Sequence, residues 1–285
     1  MIKFTKRNLM LYFRDKTSVV FSLMAALITF LLYIAVFRNL YGTGMLFGIG
    51  DIRSLTDIWA ISGVLAAPTV TVPLGSLWVL VDDRRQKHYK DFYSAPVARW
   101  KITGGYLLSA FVVGIIMTCA LLVVTQIYLL INGGSLFTLK QYILILGVIV
   151  IATFSGAGLT LFLAGLFKNN NAYTACSLVL GTLMGFLSGN YLPNGFLPEP
   201  VHMVVKMCPV AHATALLRQI VIKEPMEEML QVFPDQMSYF STFMGVEFQY
   251  GSYIAEPWVH VAVLVGSGVV FYALAILVLS RKRRK

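Results

Sequence analysis

Long apolar runs alternate with short charged segments along the whole chain. Six such runs lie at about 18–37, 58–81, 102–131, 142–167, 172–190 and 257–280. Each is long enough to cross a hydrocarbon core about 30 Å thick as a helix that rises about 1.5 Å per residue. The pattern predicts six transmembrane helices. Within the second run, Pro68 and Pro73 each remove a backbone donor and are expected to bend the helix.

The first 17 residues combine basic and apolar side chains in a pattern typical of an amphipathic helix. Lys3, Lys6, Arg7, Arg14 and Lys16 are interleaved with apolar residues, and Asp15 is the only acid. An interfacial helix with its basic face toward anionic lipid headgroups fits this pattern. An ordinary positive flank of the first span is the alternative.

The most highly charged segment of the first two thirds of the chain is 82–101, with six Lys or Arg and three Asp. A charge at the centre of a bilayer costs roughly 2.5–3.5 kcal/mol, so this segment must be a loop on one face of the membrane. Tyr89, Phe92 and Tyr93 have helical spacing and Pro96 closes the run, which predicts a short helix. This helix is either a docking surface for a soluble partner or a solvated connection.

The composition agrees with an integral membrane protein. The chain is 58% hydrophobic and 13% charged, with a mean hydropathy of +0.74, whereas soluble domains carry roughly 25% charged residues. Placing the N-terminus inside puts 17 of the 23 Lys and Arg on the inner face, so both termini are expected to be cytoplasmic. The net charge of +10 is thus explained by orientation, and no nucleic-acid partner is predicted.

The segment 191–256 is the one large outer segment, with seven acidic and three basic residues. Helical patterns at 211–222 and 225–232 predict two re-entrant or interfacial helices, and 246–254 is compatible with a short hairpin. The domain prediction therefore has four parts. They are the N-terminal helix 1–17, the first five spans 18–190, the outer segment 191–256, and the last span with its basic tail 257–285.

Chemistry-bearing residues are scarce. The six predicted runs contain no charged residue and only one histidine, His260, which disfavours an ion-coupled carrier and an intramembrane hydrolase. Glu199, His202 and His212 lack the spacing of a metal motif, so no metal site is predicted. No GxxxxGK[ST] motif is present, so any ATP must be bound by another polypeptide.

Gly181, Gly185 and Gly189 form a smooth ridge on the predicted fifth span. Such a ridge serves as a subunit interface or pathway wall, or packs closely within one subunit. Uncharged polar residues accompany the glycines in the second and fifth spans and suit a passage for amphipathic cargo, although they also bond to their own helix backbone. The candidates are Thr69, Thr71, Ser76, Ser177 and Asn190.

Three stretches resemble the membrane subunit of ABC-2 type exporters, the permease half of a bacterial ATP-binding cassette transporter. They are the end of the charged loop at 91–102, the inner turn at 167–172, and the outer stretch 192–198 that leads to Cys208-Pro209 and Leu217-Arg218. The order and spacing of these motifs and spans carry the resemblance. It implies an all-α polytopic fold of the ABCG-like, type V exporter architecture.

The resemblance also implies a mechanism. A coupling helix at about 84–95 would dock on a separate ATPase that binds ATP and magnesium, while this chain holds no cofactor and catalyses nothing. Two permeases, identical or homologous, would export a drug, peptide or lipid across the bacterial cytoplasmic membrane along a path lined by the second and fifth spans. The alternatives are a stand-alone sensor or assembly factor with an outer binding cap, and an ion-coupled carrier. The coupling residues implied are Arg84, Arg85, Lys87, Tyr89, Phe92, Tyr93 and Pro96.

Overall fold

The computed structural model describes residues 1–43, 51–88, 92, 97–189, 191–230 and 234–281. They form a helical bundle with a small antiparallel hairpin. The elements are α1 (Ile2–Arg14), α2 (Lys16–Leu32), a π turn (Tyr33–Phe37), α3 (Arg38–Gly42), α4 (Arg53–Ala66), α5 (Pro68–Ser76), α6 (Trp78–Arg85), α7 (Arg99–Ile131), α8 (Leu139–Leu166), α9 (Asn170–Leu187), a 3-10 turn (Asn194–Phe196), α10 (Glu199–Met207), α11 (Pro209–Leu230), α12 (Pro234–Phe243), β1 (Gln249–Tyr250), β2 (Tyr253–Ile254) and α13 (Pro257–Arg281).

Asp15 separates the N-terminal helix α1 from the first span. Its carboxylate accepts a hydrogen bond from the Ser18 amide at 3.2 Å and so caps α2. On α1, Thr5, Asn8 and Tyr12 are buried. The Thr5 hydroxyl donates to the Gly105 carbonyl of α7 at 3.3 Å, so α1 packs on α7 partly through polar side chains.

The second span consists of three helices, α4, α5 and α6. Helix α5 begins at Pro68, where a proline needs no helical donor, and the next break follows Pro73, at Leu77. The Tyr173 hydroxyl of α9 donates to the Leu74 carbonyl at 2.5 Å. The breaks predicted from the two prolines are thus confirmed, and one carbonyl near them is bonded by a neighbouring helix.

Within the described ranges, five helical segments are long and apolar enough to cross a membrane, and α10 with α11 would make a sixth if the bent pair is one span. The predicted fifth span, 172–190, corresponds to the 18-residue helix α9, which is not among those five segments. The protein is therefore a multi-pass helical membrane protein. The five segments are Lys16–Gly42, Arg53–Arg85, Trp100–Ile131, Leu139–Leu166 and Pro257–Leu279.

The absence of charge predicted for 58–81 does not extend over the whole second span. Helix α4 begins at Arg53 and contains Asp57, which is 3% exposed. Its carboxylate accepts hydrogen bonds from Arg38 Nε at 3.0 Å and from the Tyr33 hydroxyl at 3.0 Å. Burial is tolerated here because the charge is paired.

Small residues let α8 approach its neighbours closely. A Cβ atom on Gly156 would lie 2.1 Å from the Thr69 carbonyl oxygen of α5, and one on Gly158 would lie 2.8 Å from the Gly268 carbonyl oxygen of α13. The Ser155 and Ser267 hydroxyls are hydrogen-bonded at 2.8 Å. These contacts place α8 between the second and last spans.

The outer segment differs in detail from its prediction. One helix, α11, runs through Pro225, so the two predicted helices at 211–222 and 225–232 are a single element. Pro225 lies near the end of the helix and removes only one donor. The shorter α10 precedes it and meets it at 86°. The alternative hairpin is present, with Gln249 opposite Ile254 and Tyr250 opposite Tyr253.

Candidate functional site

A buried carboxylate at the inner end of the second span joins three helices. Asp83 of α6 is 3% exposed and forms a two-pronged ion pair with Arg7 of α1, with N···O distances of 2.6 and 2.7 Å. The Tyr106 hydroxyl of α7 donates to the same carboxylate at 2.6 Å. Hydrogen bonding to Asp83 raises the pKa of Arg7 above its ordinary value. We call Arg7, Asp83 and Tyr106 the inner latch.

The neighbours of Asp83 extend these connections to α8 and α9. Arg84 Nη1 donates to the Gly165 carbonyl at 2.8 Å and to the Phe167 carbonyl at 3.2 Å. The Asn170 side-chain amide donates to Asp82 at 2.8 Å. The N-terminal helix, the start of the charged loop and the turn near Lys168, three segments that the charge pattern assigned to the cytoplasm, therefore meet at one end of the bundle.

The structure describes four of the predicted coupling residues. Arg84 is half-buried in the contacts above, whereas Arg85 is 60% exposed and pairs with Asp82 at 3.3 Å. Lys87 is exposed and has a positive φ of 64°. Phe92 packs edge-on against Phe4 of α1, with ring centroids 5.1 Å apart. Tyr89, Tyr93 and Pro96 lie outside the described residues.

A groove of about 530 Å³ opens between α2, α5 and α9. Thr71, Ser177, Gly181 and Gly185 of the predicted path line it. No charged side chain contributes to its lining among the described residues, and several hydroxyl groups do. The further hydroxyl-bearing lining residues are Tyr12, Ser18, Ser22, Thr29, Thr174, Thr182 and Tyr191.

The other predicted path residues lie elsewhere. Thr69 is buried and its hydroxyl donates to the Ala66 carbonyl at 2.6 Å, while the Ser76 hydroxyl donates to the Pro73 carbonyl at 2.9 Å. Both use the backbone bonding that was the alternative interpretation. Gly189 follows α9 with a φ of +66°. Asn190 lies outside the described residues.

The three glycines of the predicted ridge have three different environments. A Cβ atom on Gly181 would meet nothing within 4 Å, so this position is open to the groove. A Cβ atom on Gly185 would lie 2.4 Å from the Tyr191 ring, and Gly189 adjoins Arg218. The close helix approaches within the subunit involve Gly156 and Gly158 of α8, which the sequence analysis did not single out.

A second buried hub lies at the outer end. Arg218 of α11 is 1% exposed. Its guanidinium group donates to the carbonyls of Gly189, Met244 and Gly245 at 2.9–3.2 Å, and its central carbon lies 4.5 Å from the centroid of the Trp59 ring. The sequence analysis missed this hub. A lone arginine in the apolar run of a re-entrant helix was the available signal.

Two of the four histidines, His212 and His260, form a pair. His212 Nδ1 and His260 Nδ1 lie 2.7 Å apart, and His212 Nε2 lies 2.8 Å from the Lys206 carbonyl. Across the described part of the chain, no group of three His, Cys, Asp or Glu side chains is arranged to hold a metal ion.

A family model described as the ABC-2 type transporter matches residues 2–222, which is most of the chain. The chain belongs to the ABC-2 type transporter family. Among curated proteins, none matches the chain. Membership identifies this ABC-2 protein as the permease subunit of an ABC transporter, the membrane component that has no ATPase activity of its own. The inner latch, the groove and the outer hub all include residues inside the matched range.

Proposed function

We propose that this ABC-2 permease is the membrane subunit of an ATP-driven exporter in the bacterial cytoplasmic membrane. Its cargo is an amphipathic or hydrophobic molecule such as a drug, a peptide or a lipid. Two permeases, identical or homologous, and two separate ABC ATPases form the working transporter. ATP and magnesium are bound by the ATPases, and this chain catalyses no reaction.

The groove is the observation that supports the cargo class. Its uncharged lining combines apolar surface with hydroxyl groups, and its volume of about 530 Å³ is that of a site for a drug-sized molecule. An ion or a free sugar would lose its hydration there without gaining charged partners. A molecule with a large apolar surface and a few hydrogen-bonding groups fits better.

The exposed basic residues and the contacts at the inner end support the proposal that an ATPase docks there and supplies the energy for transport. Arg85 and Lys87 are exposed there, and both belong to the predicted coupling helix at about 84–95. The residues beside them are tied to α1, α7, α8 and α9 by the inner latch and by Arg84 and Asp82. A force applied to this loop would therefore reach several spans at once, and the groove would alternate between inward and outward access.

Exposed apolar surface beside the groove supports pairing with a second permease. Leu178 and Val179 of α9 are 69% and 61% exposed, and Phe21 of α2 is 64% exposed. These side chains contact either lipid or a second permease. Since Gly181 is open on the same helix, a second copy placed here would close the groove into a path.

The alternatives predict different energy sources. A stand-alone sensor or assembly factor would need no ATPase, and an ion-coupled carrier would respond to an imposed gradient. Asp57 and Asp83 are buried acids of the second span. Asp57 is paired with Arg38 and Tyr33 at the outer end, and Asp83 is paired with Arg7 and Tyr106 at the inner end. Neither is a lone acid at mid-membrane, which an ion-coupled carrier usually requires.

Reconstitution in proteoliposomes tests the proposal. The permease, with the ABC ATPase that co-purifies from native membranes, is expected to move a fluorescent amphipathic probe only when ATP and magnesium are present. Gly181→Leu fills the groove and is expected to reduce this transport at least about tenfold. Gly147→Leu is the matched control because Gly147 of α8 also has nothing within 4 Å of its Cβ position. Transport driven by a proton or sodium gradient without ATP would refute the proposal.

Docking is tested separately by charge reversal. Arg85→Glu with Lys87→Glu is expected to weaken ATPase binding in a pull-down assay, because both side chains are exposed at the inner end. Lys140→Glu is the control, since Lys140 is exposed at the start of α8, opposite to the inner end. Equal binding by the double variant and the control would show that these two residues take no part in docking.

A further inference from the structure

The charge of Arg218 is buried without a counter-charge. No carboxylate of the described residues forms an ion pair with it, and its Nε atom has no hydrogen-bond partner. A buried cation normally has an acidic partner because burial removes its hydration. Here three carbonyl dipoles and the face of Trp59 take that role.

The groups around Arg218 come from three separate parts of the fold. Gly189 lies just after α9, which lines the groove, and Trp59 belongs to α4 of the second span. Met244 and Gly245 belong to the turn after α12. The Trp59 indole also donates to the Met244 carbonyl at 2.7 Å. One side chain of α11 therefore connects the outer ends of the two helical segments beside the groove to the outer cap.

The backbone around the hub is shaped for this contact. Gly189 and Gly245 both have positive φ, at +66° and +68°, a conformation that favours glycine. A Cβ atom on Gly245 would lie 2.4 Å from the Asn194 side-chain nitrogen and 3.1 Å from Arg218 Nη1. The carbonyls that receive the guanidinium group are thus held by turns with little room for a larger residue.

We infer that Arg218 is a positioning residue of the outer gate, a latch that holds α9, α4 and the cap turn together while the outer end of the groove is closed. The positive charge of Arg218 suits a contact that must separate when the outer end of the groove opens. Water that enters when these parts separate hydrates the guanidinium group and takes the place of the three carbonyls, so the contact can open without leaving an unsolvated charge. This inference rests on the proposed function, because a gate has meaning only for a transport path.

The test measures access to the outer end directly. Ser188, at the end of α9, is 1% exposed. Ser188→Cys places a small thiol reporter next to Gly189, whose carbonyl accepts a hydrogen bond from Arg218. The three native cysteines are replaced by alanine, and the permease with its ATPase is labelled with N-ethylmaleimide in lipid nanodiscs without nucleotide. Arg218→Met is expected to raise the labelling rate about tenfold, since several hydrogen bonds to a charged group are lost.

Two controls distinguish a specific role of Arg218 at the outer end from a general loosening of the helix bundle. Gln219→Met removes a neutral hydrogen bond from the adjacent side chain to the Val246 carbonyl and is expected to change the rate less than about twofold. Thr103→Cys, at a buried site near the inner end, is expected to label at the same rate with and without Arg218. A rise at both reporters, or at neither, would overturn the inference.

A charge-conserving variant keeps the test decisive if Arg218→Met does not assemble. Arg218→Lys retains the cation but not the two-sided guanidinium group, so it is expected to raise labelling at Ser188→Cys about threefold and leave Thr103→Cys unchanged. Labelling of Arg218→Lys equal to that of the parent would then refute the latch. These rates are measured without nucleotide, whereas failure of the proposed function would appear as ATP-independent transport with the labelling result intact.

Discussion

Removing Arg7 offers a direct measure of how firmly the N-terminal helix is attached. Arg7→Gln leaves the buried Asp83 carboxylate with the Tyr106 hydroxyl and the more distant His88, whose Nδ1 atom lies 3.5 Å away. Breaking a fully buried ion pair costs about 3–5 kcal/mol, and an exposed pair contributes about 0–1 kcal/mol. Because the Arg7 side chain is 33% exposed and that of Asp83 only 5%, we expect an intermediate loss of about 2 kcal/mol.

Hydrogen exchange of the α1 amides is the suitable assay, because the Arg7 ion pair is the charged contact of this helix with the bundle among the described residues, and its other polar contacts are neutral. A loss of about 2 kcal/mol corresponds to roughly thirtyfold faster exchange if α1 detaches as a unit. Lys6→Gln removes a positive charge from an exposed position of the same helix and is expected to change exchange less than about twofold.

Two outcomes would refute this reasoning. Equal exchange in Arg7→Gln and Lys6→Gln would mean that the ion pair does not hold α1 in place. Faster exchange confined to residues beyond α1 would mean that Asp83 stabilises α6 alone. The reversed pair, Arg7→Asp with Asp83→Arg, is expected to restore part of the protection, since the charges are again complementary.

Three further substitutions test other contacts. Gly156→Ala places a Cβ atom 2.1 Å from the Thr69 carbonyl oxygen and should lower stability by about 3 kcal/mol in thermal unfolding; a midpoint equal to that of Gly147→Ala would contradict this close approach. Trp59→Phe removes the 2.7 Å hydrogen bond to the Met244 carbonyl and should cost about 1 kcal/mol, and unchanged unfolding would show that this bond contributes nothing. Gly185→Leu must displace the Tyr191 ring and is expected to weaken pairing with a second permease, whereas an unchanged mass by light scattering in detergent would remove this helix from the interface.

The sequence was sufficient to predict features that are determined by residues close together in the chain. Basic residues before an apolar run indicated α1, and the breaks in the second span follow from Pro68 and Pro73 because proline acts on its own helix. Lys and Arg counts also predicted which ends of the spans share a face, since their placement depends on the membrane rather than on packing, and the cytoplasmic side of the protein stays a prediction. These features require no knowledge of which helices touch.

Features that depend on the pairing of distant segments were beyond the sequence. Gly156 and Gly158 resemble many glycines in apolar helices, and only the positions of α5 and α13 make them necessary. Arg218 meets residues 29 positions before it and up to 27 after it, so no periodicity joins them. Asp57 was missed for a simpler reason, because the second span begins five residues before the apolar run that predicted it.

The backbone contacts around α8 lead us to expect a static and a mobile part of the subunit. Where a single methyl group has no room, sliding of the helices is hindered, so we expect α5, α8 and α13 to move together. The first span has no such restraint, since only 11% of its most apolar stretch is buried, compared with 72% for the second span. Changes in the width of the groove should therefore come from tilting of α2 and α9, while α5, α8 and α13 keep their relative positions. Distances between labels placed on α5, α8 and α13 are expected to stay the same during turnover.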